Sequence, residues 1–233
     1  MNYQIDAPGS AIRTTVKLPA SKSISNRALI LNALSYSAYD VENLSDCDDT
    51  NLMVKALNSN DRDFNVGAAG TTMRFLTAFL SKVVGEWTIT GTERMKNRPI
   101  KVLVDALNAL GARIEYMEKE GYPPLRIFGS ALQGGEISLP GNVSSQYISA
   151  ILMIAPLTEN GVTLHLEGAI ISRPYIHITL QLMEQYGVRA SWTENMIKVL
   201  PQEYKPIHFT VESDWSAASY WYEIGRASCR ERV

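Results

Sequence analysis

One plan of helices and strands occurs three times along this chain, and a repeat of this kind leaves few folds open. The copies open at Pro19, Gly67 and Pro140. In each copy, small polar residues precede an apolar helix pattern, an alternating strand pattern follows, and a second helix comes after a turn. With the helices packed inside and the sheets outside, three such units form an α/β lobe with pseudo-three-fold symmetry.

The predicted elements follow from hydrophobic periodicity and turn residues. In copy two, for example, one helix has Pro99 at its first position and Gly111 as its stop. Each complete copy is predicted to follow the order β-α-β-α-β-β. We predict helices that end near residues 34, 57, 80, 110, 155 and 187, and strands over 14–18, 39–42, 87–90, 113–116, 125–128, 162–167, 188–191 and 196–200.

The first helix of each copy begins with small polar residues, at 21–23 (Ser-Lys-Ser), 70–72 (Gly-Thr-Thr) and 144–146 (Ser-Ser-Gln). Taken alone, the Ser-Lys-Ser turn fits an ordinary serine cap as well as an anion site. However, helix starts carry unpaired N–H groups and the positive end of the helix dipole, and three-fold packing would gather them at one end of the lobe. The sequence therefore predicts an anion site there. Lys22, Arg27 and Arg74 lie in or just inside these helix starts. The turns before the second helices add further cations: Arg94, Lys96, Arg98 and Arg173.

The last residues, 223–233 (EIGRASCRERV), do not continue the apolar pattern. The string matches an in-frame translation of a common DNA-sequencing adapter, so we interpret it as a non-native tail and exclude it from the fold prediction. Natural codons in the underlying DNA would refute this interpretation. Without the tail, Cys47 is the only cysteine, and no internal disulfide is expected.

The rest of the composition excludes several classes of protein. No apolar run approaches the ~20 residues that cross a bilayer, and the N-terminus lacks the features of a signal peptide, so a cytoplasmic protein is expected. A formal net charge of −2 argues against nucleic acid as the main partner. Scattered histidines and one native cysteine predict no metal site. We interpret Asp46, Asp48 and Asp49 as caps of the helix that follows them.

Six motifs, taken together, resemble the 5-enolpyruvylshikimate-3-phosphate synthase family. They are residues 18–34 (LPASKSISNRALILNAL), 69–76 (AGTTMRFL), 91–99 (GTERMKNRP), 120–128 (EGYPPLRIF), 143–156 (VSSQYISAILMIAP) and 172–178 (SRPYIHI). The resemblance implies two lobes, each built from three βαβαββ units, with a chain that starts in one lobe, completes the other and returns. It places residues 1–13 as a first strand of a second lobe, 14–210 as a complete lobe and 211–222 as the return.

Two departures from the family pattern are visible in this sequence. Only nine residues separate Leu57 from Gly67, where the family usually has a β-hairpin, so copy one is expected to lack its closing strand pair. Phe75 stands where many members have proline, which puts the start of the second repeat's first helix in doubt.

The resemblance also implies a reaction: transfer of the enolpyruvyl group of phosphoenolpyruvate to the 5-hydroxyl of shikimate 3-phosphate, with release of phosphate. No cofactor is implied, and the full-length protein is expected to be a monomer. Lys22 would be the catalytic residue, placed between both substrates, and Arg74 would support the phosphoenolpyruvate loop. The implied shikimate 3-phosphate contacts are Lys22, Ser23, Arg27, Ser144, Ser145, Gln146, Ser172 and Tyr175. The implied phosphoenolpyruvate contacts are Lys22, Gly70, Thr71, Arg98 and Gln146.

The family's acidic catalytic residues come from the second lobe, so this chain is predicted to be inactive alone. Two other interpretations stay open. One is a non-enzymatic half-protein that binds phosphate-bearing anions. The other is the UDP-N-acetylglucosamine enolpyruvyl transferase, which usually has asparagine after the N-terminal lysine and a cysteine in a flexible loop. Here Ser23 follows Lys22, and residues 82–99 contain no cysteine.

Overall fold

The structure, a computed structural model, describes residues 15–230, so the strand predicted over 1–13 lies outside the described residues. The helices are α1 (Lys22–Leu34), α2 (Asp48–Leu57), α3 (Gly70–Lys82), α4 (Glu93–Lys96), α5 (Lys101–Ala109), α6 (Ser145–Ile154), α7 (Arg173–Gln185) and α8 (Trp215–Arg230). The strands are β1 (Val41–Glu42), β2 (Asp63–Asn65), β3 (Gly85–Thr90), β4 (Arg113–Tyr116), β5 (Leu125–Gly129), β6 (Gly135–Pro140), β7 (Val162–Glu167), β8 (Ala190–Thr193), β9 (Met196–Val199) and β10 (Phe209–Thr210).

Copies two and three form two sheets of the same topology, with strand orders β2-β3-β5-β4 and β6-β7-β9-β8. In both, the first two strands are parallel and are joined by a helix, and the last two add as an antiparallel pair. The predicted β-α-β-α-β-β order is therefore confirmed. The opening strands β2 and β6 are additional to the strands that the sequence patterns predict.

Copy one is completed by a distant part of the chain. Its strand β1 pairs in parallel with β10, in the register Val41↔Phe209 and Glu42↔Thr210. Because the first two strands of the other copies are also parallel, β10 occupies the position of an opening strand. As expected, no closing strand pair follows in this sheet within residues 15–230, and the short segment 58–66 instead supplies β2 to the sheet of copy two.

The prediction of a strand over 14–18 is wrong for residues 15–18, which have no regular structure. The β-branched run there fits a strand, but no neighbouring strand pairs with it in the described part of the chain. Among residues 15–230, the only sheet-like contact nearby is an isolated antiparallel bridge between Ala20 and Ser213. Strand β1 pairs with β10 instead.

The core lies between the first helices of the three copies. Helices α1, α3 and α6 contact one another, and α3 and α6 are buried along nearly their whole length. Phe75 is fully buried within α3, which begins at Gly70 without interruption. This inward packing of helices, with sheets outside, fixes the positions of the three helix starts relative to one another.

One predicted helix start needs correction. Helix α5 begins at Lys101 rather than Pro99, because Ile100 takes the cap position and its N–H donates to the carbonyl of Gly121. Gly111 ends this helix with φ +99, a conformation that favours glycine. Helix α8 continues through the first part of the predicted tail. Among the helices of residues 15–230, none has both the length and the apolar character that crossing a bilayer requires.

Candidate functional site

The starts of α1, α3 and α6 meet at one cavity of about 230 Å³. Their convergence follows from the mutual packing of these three helices and brings helix N-termini from all three copies to one place. One residue of α7 completes the wall. The lining residues are Lys22, Ser23, Arg27, Thr71, Ser144, Ser145, Gln146 and Tyr175.

Serine side chains cap two of the three helix starts. The Ser21 side chain accepts a hydrogen bond from the Ile24 N–H at 3.4 Å, and the Ser144 side chain accepts one from the Gln146 N–H at 3.4 Å. Helix α3 has no such cap, because Ala69 precedes it. Its start is therefore the one that needs an acceptor from elsewhere.

Asp49 supplies that acceptor. Its Oδ1 accepts from the Thr71 N–H at 3.1 Å, while its Oδ2 lies 2.9 Å from Lys22 Nζ. The interpretation of the aspartates as side-chain caps of α2 is wrong, since Cys47 is the cap residue and makes no side-chain cap bond. Asp49 instead links Lys22 of copy one to the helix start of copy two, a contact across helices that local sequence does not reveal.

Arg27 is a buried cation without an acidic partner among the described residues; its exposed fraction is 3%. Three donors are used inside the protein: Nε to Thr179 Oγ1 at 2.7 Å, Nη1 to the Ser23 carbonyl at 2.8 Å and Nη2 to Ser149 Oγ at 2.9 Å. Burial lowers the pKa of Arg27 to about 10. With five N–H groups in a guanidinium, two remain for an anionic ligand.

A second cationic cluster lies at Gly70. A Cβ at this position would be 2.3 Å from Arg98 Nη1 and 2.7 Å from Arg74 Nη1, so both guanidinium groups contact the glycine. Arg74 Nη1 donates to the Gly70 carbonyl at 2.7 Å. Burial lowers the pKa of Arg98, and the positive charge of Arg74 lowers it further. Two arginines held this close together, at a helix N-terminus, are suited to a multiply charged anion.

One hydrogen bond connects the two clusters, from Gln146 Nε2 to Thr71 Oγ1 at 3.1 Å. Gly70, Arg74 and Arg98 do not line the cavity itself, but Gly70 directly precedes Thr71, which does. Ser172 does not line it either; it is the cap residue of α7, and its carbonyl accepts from the Tyr175 N–H at 3.2 Å. The described residues contain no group of three side chains placed to hold a metal ion.

The family profile described as EPSP synthase (3-phosphoshikimate 1-carboxyvinyltransferase) matches residues 7–59 and 57–228. The chain belongs to this family. A 3-phosphoshikimate 1-carboxyvinyltransferase from Bacteroides fragilis is 60% identical over 234 residues, which cover 100% of this chain and 57% of the relative. The Vibrio campbellii protein of the same name is 43% identical over 243 residues, covering 92% and 57% respectively.

A solved EPSP synthase from Acinetobacter baumannii superimposes with a TM-score of 0.78 at 21% identity, covering 88% of this chain and 52% of that chain. The likeness shows the enolpyruvyl transferase fold, as predicted. This chain spans a little over half the length of the curated relatives that it matches. The family match favours the shikimate interpretation over the UDP-amino-sugar one.

Asp49 and Tyr147 belong to this site but are not predicted from the sequence. The sequence pattern favours Asp49 as a helix cap, and it does not single out Tyr147, which follows Gln146. Tyr147 is 8% exposed and touches both the Arg74 guanidinium and the backbone beside Arg98. A polar hydroxyl in an otherwise apolar helix face was the available signal, because a buried tyrosine hydroxyl usually has a partner.

Proposed function

We propose that this chain is the substrate-binding lobe of a 3-phosphoshikimate 1-carboxyvinyltransferase. Such an enzyme transfers the enolpyruvyl group of phosphoenolpyruvate to the 5-hydroxyl of shikimate 3-phosphate and releases phosphate. The observation that carries the proposal is the pair of anion-binding clusters joined by the Gln146–Thr71 hydrogen bond, with Lys22 beside them. Two adjacent phosphate-bearing substrates need two such clusters.

The two clusters suggest which substrate each would bind. The hydroxyl-rich wall has few charges besides Lys22 and Arg27, and suits the polyhydroxylated ring and phosphate of shikimate 3-phosphate. Its members are Ser23, Ser144, Ser145, Gln146 and Tyr175, with Ser172 beside them at the start of α7. Gly70 and Arg98, supported by Arg74, suit the compact phosphate of phosphoenolpyruvate, because guanidinium groups bind phosphate in bidentate fashion.

Lys22 would act on both substrates. Its side chain is 44% exposed, and its partner Asp49 accepts a hydrogen bond from the N–H of Thr71 at the start of α3. A cation fixed between the two clusters would stabilise negative charge that develops as the 5-hydroxyl attacks the enol carbon. Asp49 would keep the lysine oriented toward the phosphoenolpyruvate side.

The reaction also needs a proton removed from the hydroxyl and a proton added to the methylene group. No carboxylate lines the cavity within residues 15–230, and Asp49 is already paired with Lys22. We therefore propose that acid–base groups come from the part of the relatives that this chain does not match, and that the chain alone has no turnover.

The return segment, residues 211–222, supports the proposal that a second lobe completes the enzyme. In helix α8, four aromatic side chains are at least half exposed: Trp215, Tyr220, Trp221 and Tyr222. An exposed aromatic surface of this size is expected to be covered by further protein. We propose that 14–210 form one lobe and that 211–222 lead into the other. A cytoplasmic location, a monomeric state at full length and a non-native tail at 223–233 stay predictions.

A chimaera tests the proposed function. Residues 1–222 would be joined to the remaining part of the Bacteroides fragilis relative, and phosphate release would be measured with both substrates. We expect turnover that depends on both substrates and falls at least tenfold in Lys22→Met. A folded chimaera without turnover, beside an active relative, would contradict the proposal. The separate chain should release no phosphate above a blank without enzyme.

A further inference from the structure

Tyr147 connects α6 to the arginine pair at Gly70. It follows Gln146 in α6, but its side chain reaches copy two rather than the cavity. The hydroxyl donates to the Pro99 carbonyl at 2.6 Å, and the centre of the ring lies 5.4 Å from Arg74 Cζ. One side chain therefore contacts both segments that carry the arginines.

The hydroxyl fixes the backbone beside Arg98. The first hydrogen bonds of α5 go to the Ile100 carbonyl, so the Pro99 carbonyl lies outside the helix and is free to accept from Tyr147. Proline has a restricted φ, so holding its carbonyl also restrains the residue before it. That residue is Arg98, whose backbone N–H donates to the Met95 carbonyl at 2.9 Å.

The ring supports the second arginine. Arg74 is 5% exposed, and its Nε has no hydrogen-bond partner among the described residues. Its Nη1 donates to the Gly70 carbonyl, and the face of Tyr147 supplies a cation–π contact. Since like charges repel, Arg74 and Arg98 need such restraints to stay together at Gly70.

We propose that Tyr147 is a positioning residue that holds Arg74 and Arg98 together at Gly70 to bind the phosphate group of a ligand. The hydroxyl restrains Arg98 through Pro99, and the ring restrains Arg74. The inference rests on the proposed function, which assigns phosphate to this cluster. It adds a residue that touches no substrate but sets the geometry of Arg98, which would bind the phosphate, and of Arg74, which supports it.

The test is a titration of the ¹⁵N-labelled chain with inorganic phosphate, followed at the amides of Gly70 and Thr71. Tyr147→Phe removes one hydrogen bond and keeps the ring, so the dissociation constant should rise about threefold to tenfold. Tyr147→Leu removes the ring as well and should raise it further. The matched control is Tyr204→Phe: Tyr204 is 6% exposed, and its hydroxyl donates to the Met153 carbonyl at 2.7 Å.

The acceptor of this control hydrogen bond, the Met153 carbonyl, lies six residues after Tyr147 in α6, or about 9 Å along the helix axis. Weaker phosphate binding in Tyr147→Phe, with unchanged binding in Tyr204→Phe, supports the proposal. Equal binding in Tyr147→Phe and the unsubstituted chain overturns it and leaves the proposed function intact. Equal weakening in both tyrosine variants also overturns it, because the effect would then be a general loss of order. If the unsubstituted chain shows no phosphate-dependent shift at Gly70, the phosphate assignment fails together with this inference.

Discussion

Replacing Gly70 with alanine should separate ligand binding from stability. The added Cβ would lie 2.3 Å from Arg98 Nη1 and 2.7 Å from Arg74 Nη1. Since carbon and nitrogen atoms approach no closer than about 3.4 Å without strain, the Arg98 guanidinium must retreat by about 1 Å. Gly70 is the first residue of α3 and does not have a positive φ, so alanine itself fits the backbone.

Gly70→Ala should affect stability and phosphate affinity differently. Alanine at a helical position is favoured over glycine by about 0.5–1 kcal/mol, so stability should be unchanged or slightly higher. Displacing one charge-assisted hydrogen bond should cost about 1.5–3 kcal/mol of binding, or about tenfold to a hundredfold in the dissociation constant for phosphate. We expect the chain to stay folded and to lose phosphate affinity.

A double-mutant cycle shows whether the effect acts through Arg98. Phosphate affinity would be measured by titration calorimetry for the unsubstituted chain, Gly70→Ala, Arg98→Ala and the double variant, with urea unfolding as the stability check. In the Arg98→Ala background, Gly70→Ala should cost little more. A full and independent loss in that background, or a loss of stability instead of affinity, would refute the steric reasoning.

Further predictions use the contacts around the site and the core. Asp49→Asn removes a negative charge beside Lys22, so the chain should bind phosphate up to about fivefold more tightly, while kcat of the chimaera falls; weaker phosphate binding would contradict this. Burial opposes ionisation of Cys47, but hydrogen bonds from Thr50 and Ser45 and the charge of Lys22 outweigh it and lower the pKa of the thiol. In a Cys229→Ser background, Lys22→Met should therefore raise the pKa of Cys47 and slow its alkylation by iodoacetamide near neutral pH. The difference in rate should vanish at a pH above the Cys47 pKa of both proteins. Tyr186 is fully buried, and its hydroxyl lacks a partner among the described residues, so Tyr186→Phe should keep or raise the free energy of unfolding in urea. Tyr204→Phe, which loses a satisfied hydrogen bond, should lower it by about 1 kcal/mol.

Much of the fold was predictable because its long elements have clear periodicity. The helices of all three copies and strands such as β7 (Val162–Glu167) follow from that pattern. The missed elements include strand β6 (Gly135–Pro140) and helix α8 (Trp215–Arg230), as well as two short strands, β2 and β10. Strand β2 (Asp63–Asn65) buries one side chain, Phe64, and β10 (Phe209–Thr210) has two residues that pair with β1 across 168 positions. Local pattern contains no information about such partners.

In the candidate site, too, local features were predictable and contacts between distant elements were not. Helix starts and small polar residues indicated where an anion would bind, because that property belongs to each helix alone. The Lys22–Asp49 ion pair and the Tyr147–Pro99 hydrogen bond join different elements, and both were missed. The position of Ser172 beside the cavity rather than in its lining also depends on how α7 packs.

The most direct test of the two-cluster site is a map of shikimate 3-phosphate on the ¹⁵N-labelled chain. We predict weak binding, since many contacts of the whole enzyme are expected from the missing part, with shifts at Ser23, Ser144, Ser145 and Gln146. A subsequent addition of phosphate should shift Gly70. The absence of shifts at millimolar ligand, or shifts confined to surfaces away from the three helix starts, would contradict the assignment of this lobe.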